Sequence, residues 1–290
     1  MSVSEELAEL GIERIDFRDN SWATRTTNVA KKPLLFIHVH KAAGSTMCHL
    51  GRIFENVAPE GQGTDACCNM YVLEARIDDR MDQIGRRSSE GFASCEERAD
   101  YMKRKNYSYS QIERGLREDD VRRECFDRFR FATLLRDPVD LAISASKWDE
   151  SNLTRVMQDH LESIGQPSPE AYFMPFFVDN YVIRTLLGKL GREIPTGGVT
   201  EEHANLLISI LKEFVYVGIV EDLSTHKTEE DLERVLGWSG IHMVRENTGT
   251  HDVARTDGLD PETVRTLKTA VKYDYMVYNF FRNQGRAFHA

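Results

Sequence analysis

The feature of this 290-residue chain that most limits its fold is a unit that occurs three times: a short, largely apolar run, an abrupt turn, then a helical or acidic start. LLFIHV, introduced by Lys31, Lys32 and Pro33, gives way to HKAAGSTM, after which Met47, Leu50, Ile53 and Phe54 recur at helical spacing. FRFATLL, ending at Leu135, gives way to Asp137 and Pro138, an N-cap and a first helical residue, and then to VDLAISASKW. FVYVGIV (214–220) gives way to Glu221 and Asp222. Runs that are apolar rather than alternating fill strands covered on both faces. Such strands separated by helices predict an α/β fold with a central parallel sheet flanked by helices.

Residues 31–290 carry no repeat or low-complexity tract and read as one domain, preceded by a polar lead-in over 1–30. The glycine-containing stretch 58–70 reads as a connecting loop, and the mixed-charge stretch 96–130 as a solvated helical face. A formal net charge of −10, from 37 basic and 47 acidic side chains, opposes a sequence-independent grip on nucleic acid. No stretch reaches the roughly 18 apolar residues of a membrane helix, and the acidic, amphipathic opening differs from a signal peptide, so a soluble cytoplasmic protein is expected. The five cysteines (Cys48, Cys67, Cys68, Cys95, Cys125) lack zinc-site spacing and fit reduced thiols in that compartment.

A loop that leaves a buried strand and opens a helix aims successive backbone N–H groups at one spot, next to the positive end of the helix dipole. Here that loop is Lys41-Ala42-Ala43-Gly44-Ser45-Thr46. Its small side chains admit phosphate oxygens, Ser45 or Thr46 adds a hydroxyl, and Lys41 adds a point charge. In nucleotide kinases the lysine follows the loop and a magnesium-binding hydroxyl stands beside it. In this chain the lysine comes first, over the end of the bound group. Beyond the second run, Arg136 and Ser144 offer a guanidinium fork and a neutral hydroxyl donor to a terminal phosphate.

Together, FIHVHKAAGSTM and TLLRDPVDLAISASKW resemble the two cofactor motifs of sulfotransferases that use 3'-phosphoadenosine 5'-phosphosulfate, in the carbohydrate sulfotransferase branch that includes heparan sulfate 2-O-sulfotransferase. Weaker similarity runs through NYVIRTLLG, YVGIVEDL and KYDYMVYNFF. The resemblance implies a P-loop-like three-layer fold and cofactor binding without a metal. It places Lys41, Ala42, Ala43, Gly44, Ser45 and Thr46 on the 5'-phosphosulfate and Arg136 with Ser144 on the 3'-phosphate. Arg184, and Arg245 with Thr248 in RENTGT, are added near cofactor or substrate. His40 stands where the family usually has proline, and Ala42-Ala43 replace a threonine-glycine type pair.

Sulfuryl transfer also needs a group to take the acceptor's proton. Many members of that family use a histidine between the two motifs, yet this chain has none between His49 and His160. The first choice of base is Glu96, at the end of an expected short strand GFASCE; His40 and His49 follow, and Glu74 is fourth. Lys41 neutralises the leaving group. The acceptor is a carbohydrate or a small hydroxylated or amino metabolite. The rival readings are a P-loop kinase or other nucleotide-binding enzyme, and a catalytically inactive binding protein of sulfotransferase type.

Overall fold

A computed structural model describes residues 32–57, 68, 94–113, 115–116, 120, 122–168, 174–241 and 259–284. Four parallel strands form one sheet: β1 (Leu34–Ile37), β2 (Tyr109–Ile112), β3 (Arg130–Leu135) and β4 (Tyr216–Ile219), in the order β2-β1-β3-β4. Every strand residue is buried, as the unbroken apolar runs require.

Alternate residues of each strand feed opposite faces. Leu34, Phe36, Ala132, Leu134 and Tyr216 pack on one side with Met47 and Leu50 of α1 (Gly44–Phe54). Leu35, Ile37, Phe131 and Val217 pack on the other with buried residues of α4 (Pro138–Trp148), α9 (Glu201–Leu211) and α12 (Lys272–Gln284). The sheet is thus covered by helices on both faces. The remaining helices are α2 (Cys95–Lys105), α3 (Arg123–Arg128), α5 (Leu153–Glu162), α6 (Met174–Phe177), α7 (Tyr181–Leu186), α8 (Gly188–Glu193), α10 (His226–Leu236) and α11 (Pro261–Ala270).

The order of the strands fixes where a site can form. β1 and β3 are neighbours, but the helix after β1 lies on one face and the helix after β3 on the other. The two connections diverge and open a crevice at the carboxyl ends of these strands, the usual ligand position in open α/β sheets. Asp137 and Pro138 start α4 as expected, with the Asp137 carboxylate accepting from the N–H groups of Val139 and Asp140 at 3.0 and 3.2 Å. Tyr275 donates to that carboxylate, while Glu221 accepts from Asp137 N–H at 3.0 Å and from the Tyr278 hydroxyl at 3.0 Å.

Several expectations are corrected. The stretch 96–130 is not one solvated helical face, since it contains α2, the edge strand β2 and α3. The strand expected over GFASCE is instead a helix start: Ser94 caps α2 in a reciprocal capping box with Glu97, and Cys95 and Glu96 are helical. A 3-10 turn, Val220–Asp222, follows β4, and the next helix begins at His226 behind a Thr225 cap. The cysteines are not reduced thiols among the described residues: Cys48 is bonded to Cys68, and Cys95 to Cys125. Residues 1–30 and most of 58–70 lie outside the described residues.

Arg184 also departs from its expected role. Its guanidinium is fully buried on α7, ion-paired with Asp179 at 2.6 Å and donating to the carbonyls of Gly191, Ile194 and Pro195. With the Asp179 carbonyl, which accepts from its Nε at 2.7 Å, these partners engage all three guanidinium nitrogens in holding the α7–α9 region together, so it is a structural residue. Asp274, also buried, accepts from the N–H groups of Val182 and Ile183 and thereby caps α7 from α12.

Candidate functional site

After β1 the chain continues the ladder for one more bond, His38 N–H to Ile112 carbonyl at 2.8 Å, and then turns sharply. Ala42 N–H returns to the Val39 carbonyl at 2.9 Å, and Lys41 and Ala43 both adopt left-handed backbone conformations, with φ of 65° and 57°. Two such residues in a three-residue span bend the main chain tightly, and α1 starts immediately beyond them. No side chain caps the start of α1. Ser45 and Thr46, both partly exposed, stand in its first turn.

Gly44 is dictated by its neighbour. A Cβ at this position would lie 2.1 Å from His38 Nε2, so the ring of His38 occupies the space that any side chain would need. Gln111 of β2 donates to the Gly44 carbonyl at 2.9 Å and to the Tyr109 hydroxyl at 2.7 Å, tying the loop to the edge strand. A polar strand residue thus acts as a loop support.

Arg136, the first residue after β3, reaches across the crevice and donates from its guanidinium to the Lys41 carbonyl at 3.0 Å. Burial pushes the Lys41 ammonium below its ordinary pKa, and the neighbouring Arg136 charge pushes it further in the same direction, with Glu113 pulling back. Two cations therefore stand close together at the turn that opens α1. Ser144 is half-buried on α4, one turn before Trp148. Positions four apart share a helix face, and Trp148 touches the loop: its ring meets that of His40 at 4.9 Å and lies 5.9 Å from Lys41 Nζ.

Sequence reasoning missed Glu113. It follows β2 directly, and its carboxylate sits 2.8 Å from His40 Nδ1 and 3.5 Å from His38 Nδ1. Burial above all pushes the His38 pKa down, with Glu113 opposing and the nearby His40 and Lys41 charges adding to the drop. The Glu113 side chain is 20% exposed. The available signal was positional, because an acidic residue just past a strand stands at the carboxyl edge of the sheet; YSQI was too polar to be read as that strand.

Glu96 lies apart from the Lys41 turn. Its side chain is 67% exposed and pairs with Arg128 at 3.0 Å, two residues before β3 begins and so at the amino edge of the sheet. His49 is exposed on α1 rather than packed. Arg245, Thr248 and Glu74 lie outside the described residues. No family model, curated protein or solved structure matches this chain. Among the described residues, no cluster of His, Cys, Asp or Glu is arranged to hold a metal ion, and no helix is long and apolar enough to cross a membrane.

Proposed function

We propose that this protein is a sulfotransferase with a P-loop-like fold, taking its sulfuryl group from 3'-phosphoadenosine 5'-phosphosulfate. The observation that carries the reading is the Arg136 bond to the Lys41 carbonyl, which joins the two motifs at the strand-order crevice. The residues fit such a donor. The Lys41–Thr46 turn supplies N–H groups and small side chains for one anionic end, and two adjacent cations gain from an anion between them. Arg136 and the Ser144 face of α4 suit the other end.

The acceptor oxygen attacks sulfur, a new S–O bond forms, and the S–O bond to the 5'-phosphate breaks, its electron pair leaving on the adenosine bisphosphate. Lys41 and the loop N–H groups neutralise the charge that develops on the leaving oxygen. Glu113 takes the acceptor's proton, replacing Glu96 as the assigned base. His40 is assigned to positioning: its Nδ1 is engaged by Glu113 and its Nε2 is buried.

The acidic residues just beyond β3 and β4 weigh against a kinase. Asp137 is committed to the α4 cap and Tyr275, and Glu221 to Asp137 and Tyr278, so neither is presented to a magnesium–phosphate complex. The two disulfides favour an oxidising compartment over the cytoplasm. Titration calorimetry tests the reading: magnesium-independent binding of adenosine 3',5'-bisphosphate, with transfer of labelled sulfate from the donor, supports it. A preference for ATP with magnesium would replace it with phosphoryl transfer, and donor binding without transfer to any acceptor would leave a binding protein.

A further inference from the structure

Trp148, the last residue of α4, is 58% exposed. A solitary exposed apolar side chain ordinarily needs no account. This one stands against two residues of the loop: the His40 ring meets it nearly edge-on at an interplanar angle of 73°, and the Lys41 ammonium approaches the ring itself. The chain thus keeps an aromatic plate, more than half open to solvent, beside the residues that would carry the transfer.

We propose that Trp148 is the acceptor platform, and that its exposed surface stacks the ring of an unsulfated saccharide so that a ring hydroxyl faces Lys41 and Glu113. The stacking site stands on its own geometry; the role of the hydroxyl rests on the sulfuryl-transfer reading. A pyranose has a flat face of C–H groups and a polar perimeter. The indole answers the first, and the exposed Lys147, Asp149 and Glu150, its neighbours in the chain, offer polar groups for the second. A phenolic or lipophilic acceptor calls for apolar walls that enclose most of its surface. Among the described residues, the ring of Phe177 also meets that of His40, and it is buried. The net charge of −10 disfavours a polyanionic chain.

Ser144 and Trp148 lie one turn apart on α4. A single rigid helix would therefore set the spacing between the donor's phosphate and the acceptor's ring, which is the precision that sites built on helices provide.

The test uses the full chain with its disulfides intact, probed on an array of unsulfated oligosaccharides with 4-nitrophenol as a phenolic control. The wild type is expected to capture saccharides, and Trp148→Ala to weaken that capture roughly 10- to 100-fold, a usual loss for a truncated aromatic anchor. Trp148→Phe should recover most of it. Adenosine 3',5'-bisphosphate binding should be the same in all three. Saccharide capture unchanged in Trp148→Ala, no capture by the wild type, or selective binding of 4-nitrophenol would each overturn the platform. Failure of the bisphosphate to bind the wild type, with Trp148-dependent saccharide capture intact, would instead remove the sulfotransferase reading and leave the platform standing.

Discussion

The Arg136 guanidinium holds the carbonyl of Lys41 at 3.0 Å, across 95 residues of sequence, and so links the turn after β1 to the turn after β3. This bond gives Arg136 two tasks, since it shapes the loop from one side while keeping charge available on the other. Replacing it with alanine removes both, whereas Lys41→Ala removes a charge but leaves the carbonyl that Arg136 holds.

Lys41→Ala is expected to lower donor turnover by about 100-fold or more, in the range of other lost charge-stabilising donors, without changing the melting temperature. Arg136→Ala should lower turnover to a similar extent, weaken adenosine 3',5'-bisphosphate binding, and also lower the melting temperature because the bond to the Lys41 carbonyl is lost. Calorimetry and thermal denaturation on the same samples check both. Wild-type kinetics in both variants would remove the site.

Glu113→Gln keeps the shape of the side chain and removes its proton affinity. The expected result is a fall in kcat of about 100- to 10,000-fold, with donor affinity retained and the acid limb of the pH–rate profile lost. Glu96→Gln should behave as wild type. A full-rate Glu113→Gln enzyme would transfer the base assignment elsewhere.

Gly44→Ala should be destabilising by about 1–3 kcal/mol, the usual cost of overpacking, because the new methyl collides with the His38 ring. Adding His38→Ala should return part of that loss. A double-mutant cycle with no coupling between the two positions would contradict the close approach.

Burial raises the Asp274 carboxyl to about 7, although the Val182 and Ile183 N–H groups work against it. An unfolded chain releases this proton near pH 4. Between those values the folded state holds one more proton, so this residue's contribution declines as pH rises toward 7, by at most about 1.4 kcal/mol per pH unit. His160, lowered first by burial, adds an opposite slope below its ordinary value. Asp274→Asn isolates the carboxyl: urea melts from pH 4 to 8 should show a stability slope more positive than that of the wild type. Identical slopes would refute the shift.

Each disulfide closes a long stretch of chain, with sequence separations of 20 and 30 residues. Reduction should cost about 3 kcal/mol per bridge. Alkylation of the native, unreduced protein should label at most one of its five cysteines, as read by intact mass. Labelling of all five would rule the bridges out.

What the sequence disclosed followed from how directly each residue type reports its surroundings. The apolar runs ending at Ile37, Leu135 and Ile219 marked three strands because burial on both faces leaves no room for alternation. Asp137-Pro138 marked a helix start because only the first turn tolerates a missing N–H. β2 stayed hidden because Ser110 and Gln111 are polar, and their hydroxyl and amide N–H groups donate to the Cys68 and Gly44 carbonyls, partners remote in sequence. Arg184 entered through the resemblance alone, and its carbonyl partners, remote from any sequence signal, commit it to the fold. Glu113 required knowledge of the strand before it.

Cys68 is joined to α1 through Cys48 and lends its carbonyl to the Gln111 N–H of the edge strand at 2.9 Å. A covalent tie therefore runs from the helix behind the anion loop to a main-chain pairing that closes the open side of the sheet. The practical corollary concerns how the protein is made: chains matured among reducing thiols would lack that clamp, and material from a periplasmic or secretory host is the proper starting point for every assay above.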